Sequence, residues 1–231
     1  MPNDYFRFKH FTVRQEMCAM KVGTDATLLG AWAQLPPPDS ACAKVLDIGT
    51  GTGIIAMMIS QRYPEASVTG IDIDSNAALQ AADNAAASPF AGRIEIVCQA
   101  VQEFCGGPYD AIVCNPPYFT DSLECPDPKR TLSRHTAALS FDELAANAFR
   151  LLAAGGEFSV IIPTDQLRGM EAAAAIAGLF EKRRCDVRTK AGKAPKRTML
   201  AYSKHPEPTL QVEEFTINDA THRRLTADFY I

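Results

Sequence analysis

The sequence predicts an α/β fold, a mostly parallel sheet with helices on both faces, on three observations. Short apolar, β-branched runs alternate with longer helical stretches along most of the chain, which is the pattern of parallel sheet units. The run Val45-Leu46-Asp47-Ile48 passes directly through Gly49-Thr50-Gly51-Thr52-Gly53 into an apolar helix through Met57, Met58 and Ile59. A second run, Val68 to Ile71, ends in Asp72 with Asp74 close behind, about 20 residues beyond the glycine turn, where a carboxylate can bind ribose hydroxyls.

At 231 residues, 47% of them hydrophobic, the chain can bury a substantial core and reads as a single domain over 1–231, with 1–38 as an N-terminal extension or arm. Its apolar runs are broken by Gly, Pro or charge well short of the roughly 18 residues of a membrane span. Asp4, Arg7 and Lys9 interrupt any signal-peptide core, so a cytoplasmic protein is expected. The 7 cysteines form no C-x-x-C pair, which argues against both a disulfide framework and a metal site. The net charge of −4 hides a local excess of cations, Lys182, Arg183, Arg184, Arg188, Lys190, Lys193, Lys196 and Arg197. Local charge, not the average, governs contact with phosphate.

In order, Tyr5 to Val13 suits a strand or an arm lying on the domain. Leu28, Leu29 and Trp32 fall at helical spacing, with Thr24 or Asp25 as the cap, and Pro36-Pro37-Pro38 closes the segment as a stiff connector. After the glycine turn and the second strand come an alanine-rich helix from Ala77 to Ala87 and a strand from Ile94 to Cys98. Tyr109 to Cys114 is a buried strand that stops at Asn115-Pro116-Pro117-Tyr118, since proline neither donates to a ladder nor continues a helix. Phe119 to Ser140 reads as a long functional loop. Phe141 to Leu152 is a helix stopped by Gly155-Gly156, Glu157 to Ile162 a strand, and Thr164 to Phe180 a helix. Strands near Cys185 to Arg188 and Met199 to Ser203 follow, and the tail supplies an added strand from Leu210 to Ile217 and a packed end from Thr226 to Ile231.

The Asn115 corner has a chemical use. The Asn115 side-chain oxygen and the Pro116 carbonyl are two acceptors that can bind both hydrogens of a planar amine, while Tyr118 stacks on the ring that carries it. The glycine loop bears on the cofactor. A dinucleotide fingerprint is G-x-G-x-x-G, and Ile54 stands where its last glycine belongs. The loop here is G-x-G-x-G, which resembles motif I of the class I S-adenosylmethionine (SAM) methyltransferases. By analogy with that class the sheet has about seven strands. The class often places an acidic residue after the third strand to meet the adenine amine of SAM; Gln99-Ala100-Val101-Gln102 departs from that pattern.

Glycine loop, Asp72 and Asn115-Pro116-Pro117-Tyr118, in this order, resemble the methyltransferases that modify exocyclic or amide nitrogens. Within them the chain is similar to the bacterial family that methylates the 6-amino group of the adenosine beside the anticodon of valine tRNA. The strings Phe11-Thr12-Val13, Cys18 through Asp25, Leu29-Gly30-Ala31-Trp32, Arg134-His135-Thr136 and Thr226 through Tyr230 extend that likeness over nearly the whole chain. It implies SAM as cofactor, held by Asp47, Gly49, Gly51, Gly53 and Asp72 with Lys21, Gly23 and Thr24, and a tRNA substrate, without metal or membrane. Relatives with the same corner methylate ribosomal RNA guanine or protein glutamine, and a SAM-binding RNA module without catalysis is a further class. A target base turned out of its RNA needs cations beside it. Lys129, Arg130 and Arg134 are nearest in sequence, and Arg183, Arg184 and Arg188 extend the path. Oligomeric state is not encoded in any of these motifs.

Overall fold

The structure, a computed structural model, describes residues 4–18, 21–37, 42–117 and 139–231. Its main sheet holds eight strands: β3 (Lys44–Ile48), β4 (Ser67–Asp72), β5 (Ile94–Cys98), β6 (Tyr109–Cys114), β7 (Leu152–Pro163), β8 (Phe180–Arg188), β9 (Arg197–Ser203) and β10 (Gln211–Thr216). They lie in the order β10-β8-β9-β7-β6-β3-β4-β5. All run parallel except β9, which is antiparallel to both neighbours. The eighth strand is the tail strand β10, added beyond the seven of the class. A separate antiparallel pair, β1 (Tyr5–Arg7) and β2 (Thr12–Arg14), forms the N-terminal arm.

Two apolar clusters flank the sheet, and strand alternation assigns side chains to them. Val45, Ala111 and Val113 face α1 (Thr24–Trp32) and α2 (Ile54–Arg62), whereas Leu46, Ile48, Ile112 and Cys114 face α4 (Phe141–Leu151) and α5 (Leu167–Ala177). Burial on both faces is why these central strands read as continuous apolar runs. At Gly30 the two helices α1 and α2 come close, since a Cβ there would lie 2.8 Å from Met58 Sδ. The α3 helix (Ser75–Ala86) lies beside β4 and β5, and α6 (Ala220–Thr226) precedes a tail whose Phe229 is buried with the arm. Lys9 holds that contact, its N–H donating to Phe229 O at 2.9 Å.

Two local expectations are corrected. Neither Thr24 nor Asp25 caps α1: Gly23 occupies the cap, and Asp25 turns its carboxylate to Arg197 Nε at 2.7 Å. A charge-assisted tertiary partner has outcompeted a local one. Gly155-Gly156 does not stop the helix, which ends at Leu151; both glycines lie inside β7, where its register with β6 shifts between the Tyr109–Leu152 and Ala111–Glu157 pairs. A Cβ at Gly156 would lie 2.7 Å from Leu152 Cδ1 and 3.0 Å from Tyr109 O, so the irregularity needs glycine.

Candidate active site

Parallel register brings the motifs together. Ile48 is paired with Cys114 on one side and Ile71 on the other, and Asp72 is paired with Cys98. Gly49, Asp72, Gln99 and Asn115 therefore leave the sheet from adjacent strands, about 4.8 Å apart, at the carboxyl edge where open α/β sheets bind ligands. A cavity of about 470 Å³ opens there, lined by Gly49, Gly51, Asp72, Asn115, Pro116 and Pro117 with Lys21, Gly23 and the Gln99 to Gln102 segment.

Gly49, Gly51 and Gly53 have φ of 68°, 56° and 79°, a left-handed path that side chains disfavour. The loop is pinned on the second strand, because Gly49 N–H and Thr50 N–H both donate to Ile71 O, at 2.9 and 3.0 Å. Thr50 Oγ1 donates to Asp47 Oδ2 at 2.7 Å. Gly70 makes room for this, since a Cβ there would lie 2.8 Å from both Thr50 Oγ1 and Ile96 Cδ1. Gly53 and Asp47 stand behind the cavity wall: Gly53 is the N-cap of α2, and a Cβ on it would press on Ala81 at 3.3 Å.

Two carboxylates shape the electrostatics. Asp47 is fully buried, and burial, helped by the charge of Asp72, pushes its pKa up to about 7 against the Thr50 hydroxyl and the Ala56 N–H. Its Oδ1 has no hydrogen-bond partner. Asp72 accepts from Gly51 N–H at 2.9 Å on Oδ2 and from Asp74 N–H at 3.0 Å on Oδ1, and burial still raises its pKa. Each oxygen keeps acceptor capacity for a ligand hydroxyl. Asp74 is committed to the α3 cap through Asn76 N–H at 2.9 Å. Burial, then Asp72 and Asp74, push the Cys18 thiol to about 11, and burial raises Cys114 well above the usual thiol range, so neither is a thiolate nucleophile at neutral pH.

Asn115 is half-buried, Pro116 buried and Pro117 exposed, all on the cavity wall. Tyr118, Lys129, Arg130 and Arg134 lie outside the described residues. Over the glycine loop, Lys21 and Gly23 join the wall, whereas Thr24 faces a neighbouring recess. Three amide side chains absent from the sequence reading hold this cover. Asn84 bonds both Arg14 N–H and Arg14 O and donates to Thr52 O at 2.9 Å; Gln80 accepts from Met17 N–H at 3.2 Å; Gln15 accepts from Val22 N–H at 2.7 Å. Polar Gln80 and Asn84, four apart on the alanine face of α3, were the available signal. In the Gln99 to Gln102 segment, Gln102 Nε2 donates to Glu143 Oε1 at 3.2 Å, and Ser140 holds the Glu143 carboxylate below its ordinary range.

The arginines Arg183, Arg184 and Arg188, expected to extend a phosphate path, each have a carboxylate partner within the fold. Arg183 is buried, 2.6 Å from Glu157 and stacked 4.0 Å over the Trp32 ring; Arg184 is held by Glu171 and, at 2.7 Å, by Glu181; Arg188 reaches Glu214 at 2.8 Å. On strand β8 these side chains meet acids of β7, β8, β10 and α5, so their charge is already balanced. Among the described residues no group of three or more His, Cys, Asp or Glu is placed to hold a metal ion, and no helix is long and apolar enough to cross a membrane.

The methyltransferase small domain family matches residues 32–191. Over 238 residues, covering 100% of this chain and 99% of the relative, the chain is 45% identical to the tRNA1(Val) (adenine(37)-N6)-methyltransferase of Phocaeicola vulgatus. It is 43% identical over 241 residues, with the same coverage, to the protein of that name in Bacteroides fragilis strain YCH46. Among solved structures, a predicted O-methyltransferase from Agrobacterium tumefaciens shares the fold, with a TM-score of 0.64 at 20% identity over 89% of this chain and 96% of that one.

Proposed function

We propose, for a chain that belongs to the methyltransferase small domain family, transfer of the SAM methyl group to the 6-amino nitrogen of an adenosine in tRNA, namely adenosine 37 beside the anticodon of tRNA1(Val). The observation that carries the chemistry is the pairing of Ile48 with Cys114, which sets the Gly49 loop and the Asn115 corner side by side on one cavity wall.

The residues present fit SAM. The cavity volume lies within the usual range of small-molecule sites. The loop amides and the Asp72 carboxylate would hold its amino-acid end and ribose, while Asp47, buried behind the loop, would act on a cationic ligand only through its charge and through the loop it braces. Bound there, SAM supplies an electrophilic methyl group. The adenine amine is a poor nucleophile while its lone pair is delocalised into the ring. Asn115 Oδ1 and the Pro116 carbonyl accept its two hydrogens, hold the nitrogen as it turns tetrahedral, and stabilise the positive charge that grows on it. Tyr118 stacks on the ring. Orientation of this kind contributes roughly 7–11 kcal/mol when the geometry is right. No strong general base is needed, because the ammonium product loses its proton to water, and the protonated thiols of Cys18 and Cys114 are not used. A tRNA-modifying role fits a protein that works in the cytoplasm, where its RNA substrate is.

Asn115→Ala tests this: single-turnover methylation of tRNA falls by several orders of magnitude while SAM affinity by calorimetry is retained. Near-normal turnover would remove Asn115 from the mechanism. Incubating the wild-type protein with labelled SAM, total tRNA, ribosomal RNA and release factor separates the tRNA reading from guanine or glutamine methylation by which acceptor is labelled.

A further inference from the structure

The cation cluster divides in two. Lys182, Arg183, Arg184 and Arg188 sit on β8 and are paired with Glu157, Glu207, Glu171, Glu181 and Glu214. Lys190, Lys193 and Lys196 sit in the turn between β8 and β9, are exposed, and make no ion pair with a described carboxylate. The turn is a built one. Lys193 N–H donates to Lys190 O, Lys196 N–H closes the hairpin on Val187 O at 2.9 Å, and the Arg188 guanidinium donates to Lys193 O at 2.5 Å while paired with Glu214.

Topology decides where these ammonium groups stand. Because β9 is antiparallel to both β7 and β8, β8 runs in the same direction as β6 and β3. The end of β8 therefore lies at the same edge as Gly49 and Asn115, with β9 two strand spacings and β8 three from β6, about 10 to 14 Å away. Between them the cavity and a second recess share one wall, the Arg197–Asp25 pair. The recess, of about 290 Å³, has Thr24, Leu28, Thr189 and Lys196 among its other walls.

We propose that the β8–β9 turn is a phosphate rail for the RNA strand that carries the target base: Lys190, Lys193 and Lys196 contact successive phosphates on one side of the flipped nucleotide, and the strand crosses the Arg197–Asp25 wall on the surface to reach them. This rests on the RNA reading above and names the surface that reading lacks once Arg183, Arg184 and Arg188 are paired. Charge complementarity favours RNA, since the cations of β8 are balanced by carboxylates whereas the turn presents three like charges with no described carboxylate partner, an arrangement suited to a polyanion.

The test is the variant Lys190→Glu/Lys193→Glu/Lys196→Glu, with Lys44→Glu, at the opposite edge of the sheet, as the control. The triple variant weakens tRNA binding by at least about tenfold at low salt and lowers the salt slope by about 2, three phosphates at about 0.7 each on a single strand. SAM affinity and melting temperature stay at the wild-type values, and Lys44→Glu changes neither affinity nor slope. Should the triple variant fold poorly, Lys→Gln at the three positions carries the same sign with a smaller change. If wild-type protein labels tRNA yet the triple variant keeps its affinity and slope, the rail is overturned and the function stands. If wild-type protein labels no tRNA, the function itself falls. If it labels a protein acceptor and the triple variant loses that acceptor, the turn serves an acidic protein surface and the RNA assignment is overturned.

Discussion

The two halves of the sheet treat charge in opposite ways. In the half built from β3, β4 and β6, the ligand-facing carboxylates are few, buried or half-buried, and held by backbone N–H groups or a hydroxyl, and burial raises the pKa of both Asp47 and Asp72. In the half built from β7 to β10, charges are many and cancel in pairs: Glu157 takes Arg183 and Lys182, Glu181 and Glu171 take Arg184, and Glu214 takes Arg188. The first half keeps acceptor capacity for a ligand, and the second uses its charge internally except in one turn. A dense run of cations in sequence therefore says little about surface potential until each residue is assigned to a strand or a turn.

The largest break in that comparison comes from Glu157. It is 2% exposed, and Glu157→Ala leaves the Arg183 guanidinium buried without its partner, which costs about 3–5 kcal/mol of stability in urea unfolding. Glu214→Ala, removing an acid that is 64% exposed in its pair with Arg188, costs no more than about 1 kcal/mol. Equal losses would mean that the two ion pairs are not distinguished by burial. In the other half, Asp72→Ala weakens SAM binding by about 1–3 kcal/mol in calorimetry, because the ribose acceptor is lost and the Gly51 N–H is released. An unchanged dissociation constant would move the ribose contact away from Asp72.

This contrast also explains what could be read from the chain. Gly49 to Gly53, Asp72 and the Asn115 corner were legible because each is a local string at a strand end, and strand order alone brings them together. The roles of Gly70, Gln80 and Asn84 were not, because each depends on which segment lies against it: Thr50 on Gly70, the N-terminal segment on the two amides. Asp25 read as a cap for the same reason, its competitor Arg197 being 172 residues away in sequence. The arginines of β8 read as a surface because their carboxylate partners are spread over β7, α5 and β10.

The effect that sharpens the comparison most is the pH dependence of cofactor binding. In the ligand-free protein Asp47 titrates at about 7, whereas an unfolded chain releases that proton near the ordinary aspartate value of 3.8. The folded state therefore holds one more proton between about pH 4 and 7, and the stability this group contributes is fully present below about 4 and is lost as pH rises through 7. SAM bears positive charge on its sulfonium and ammonium groups, and a cation in the cavity in front of the loop favours the ionised form of the carboxylate buried behind it. Binding then requires Asp47 to lose its proton, so affinity rises by up to about tenfold per pH unit, about 1.4 kcal/mol, between pH 5.5 and 7 and levels off above it. Calorimetry over that range in buffers of different ionisation enthalpy reads the released proton directly. Asp47→Asn keeps an acceptor for Thr50 but has no proton to lose, and its profile is flat. A flat profile in the wild-type protein, or the same slope in Asp47→Asn, would show that Asp47 only braces the loop and that the cofactor's charge is met elsewhere.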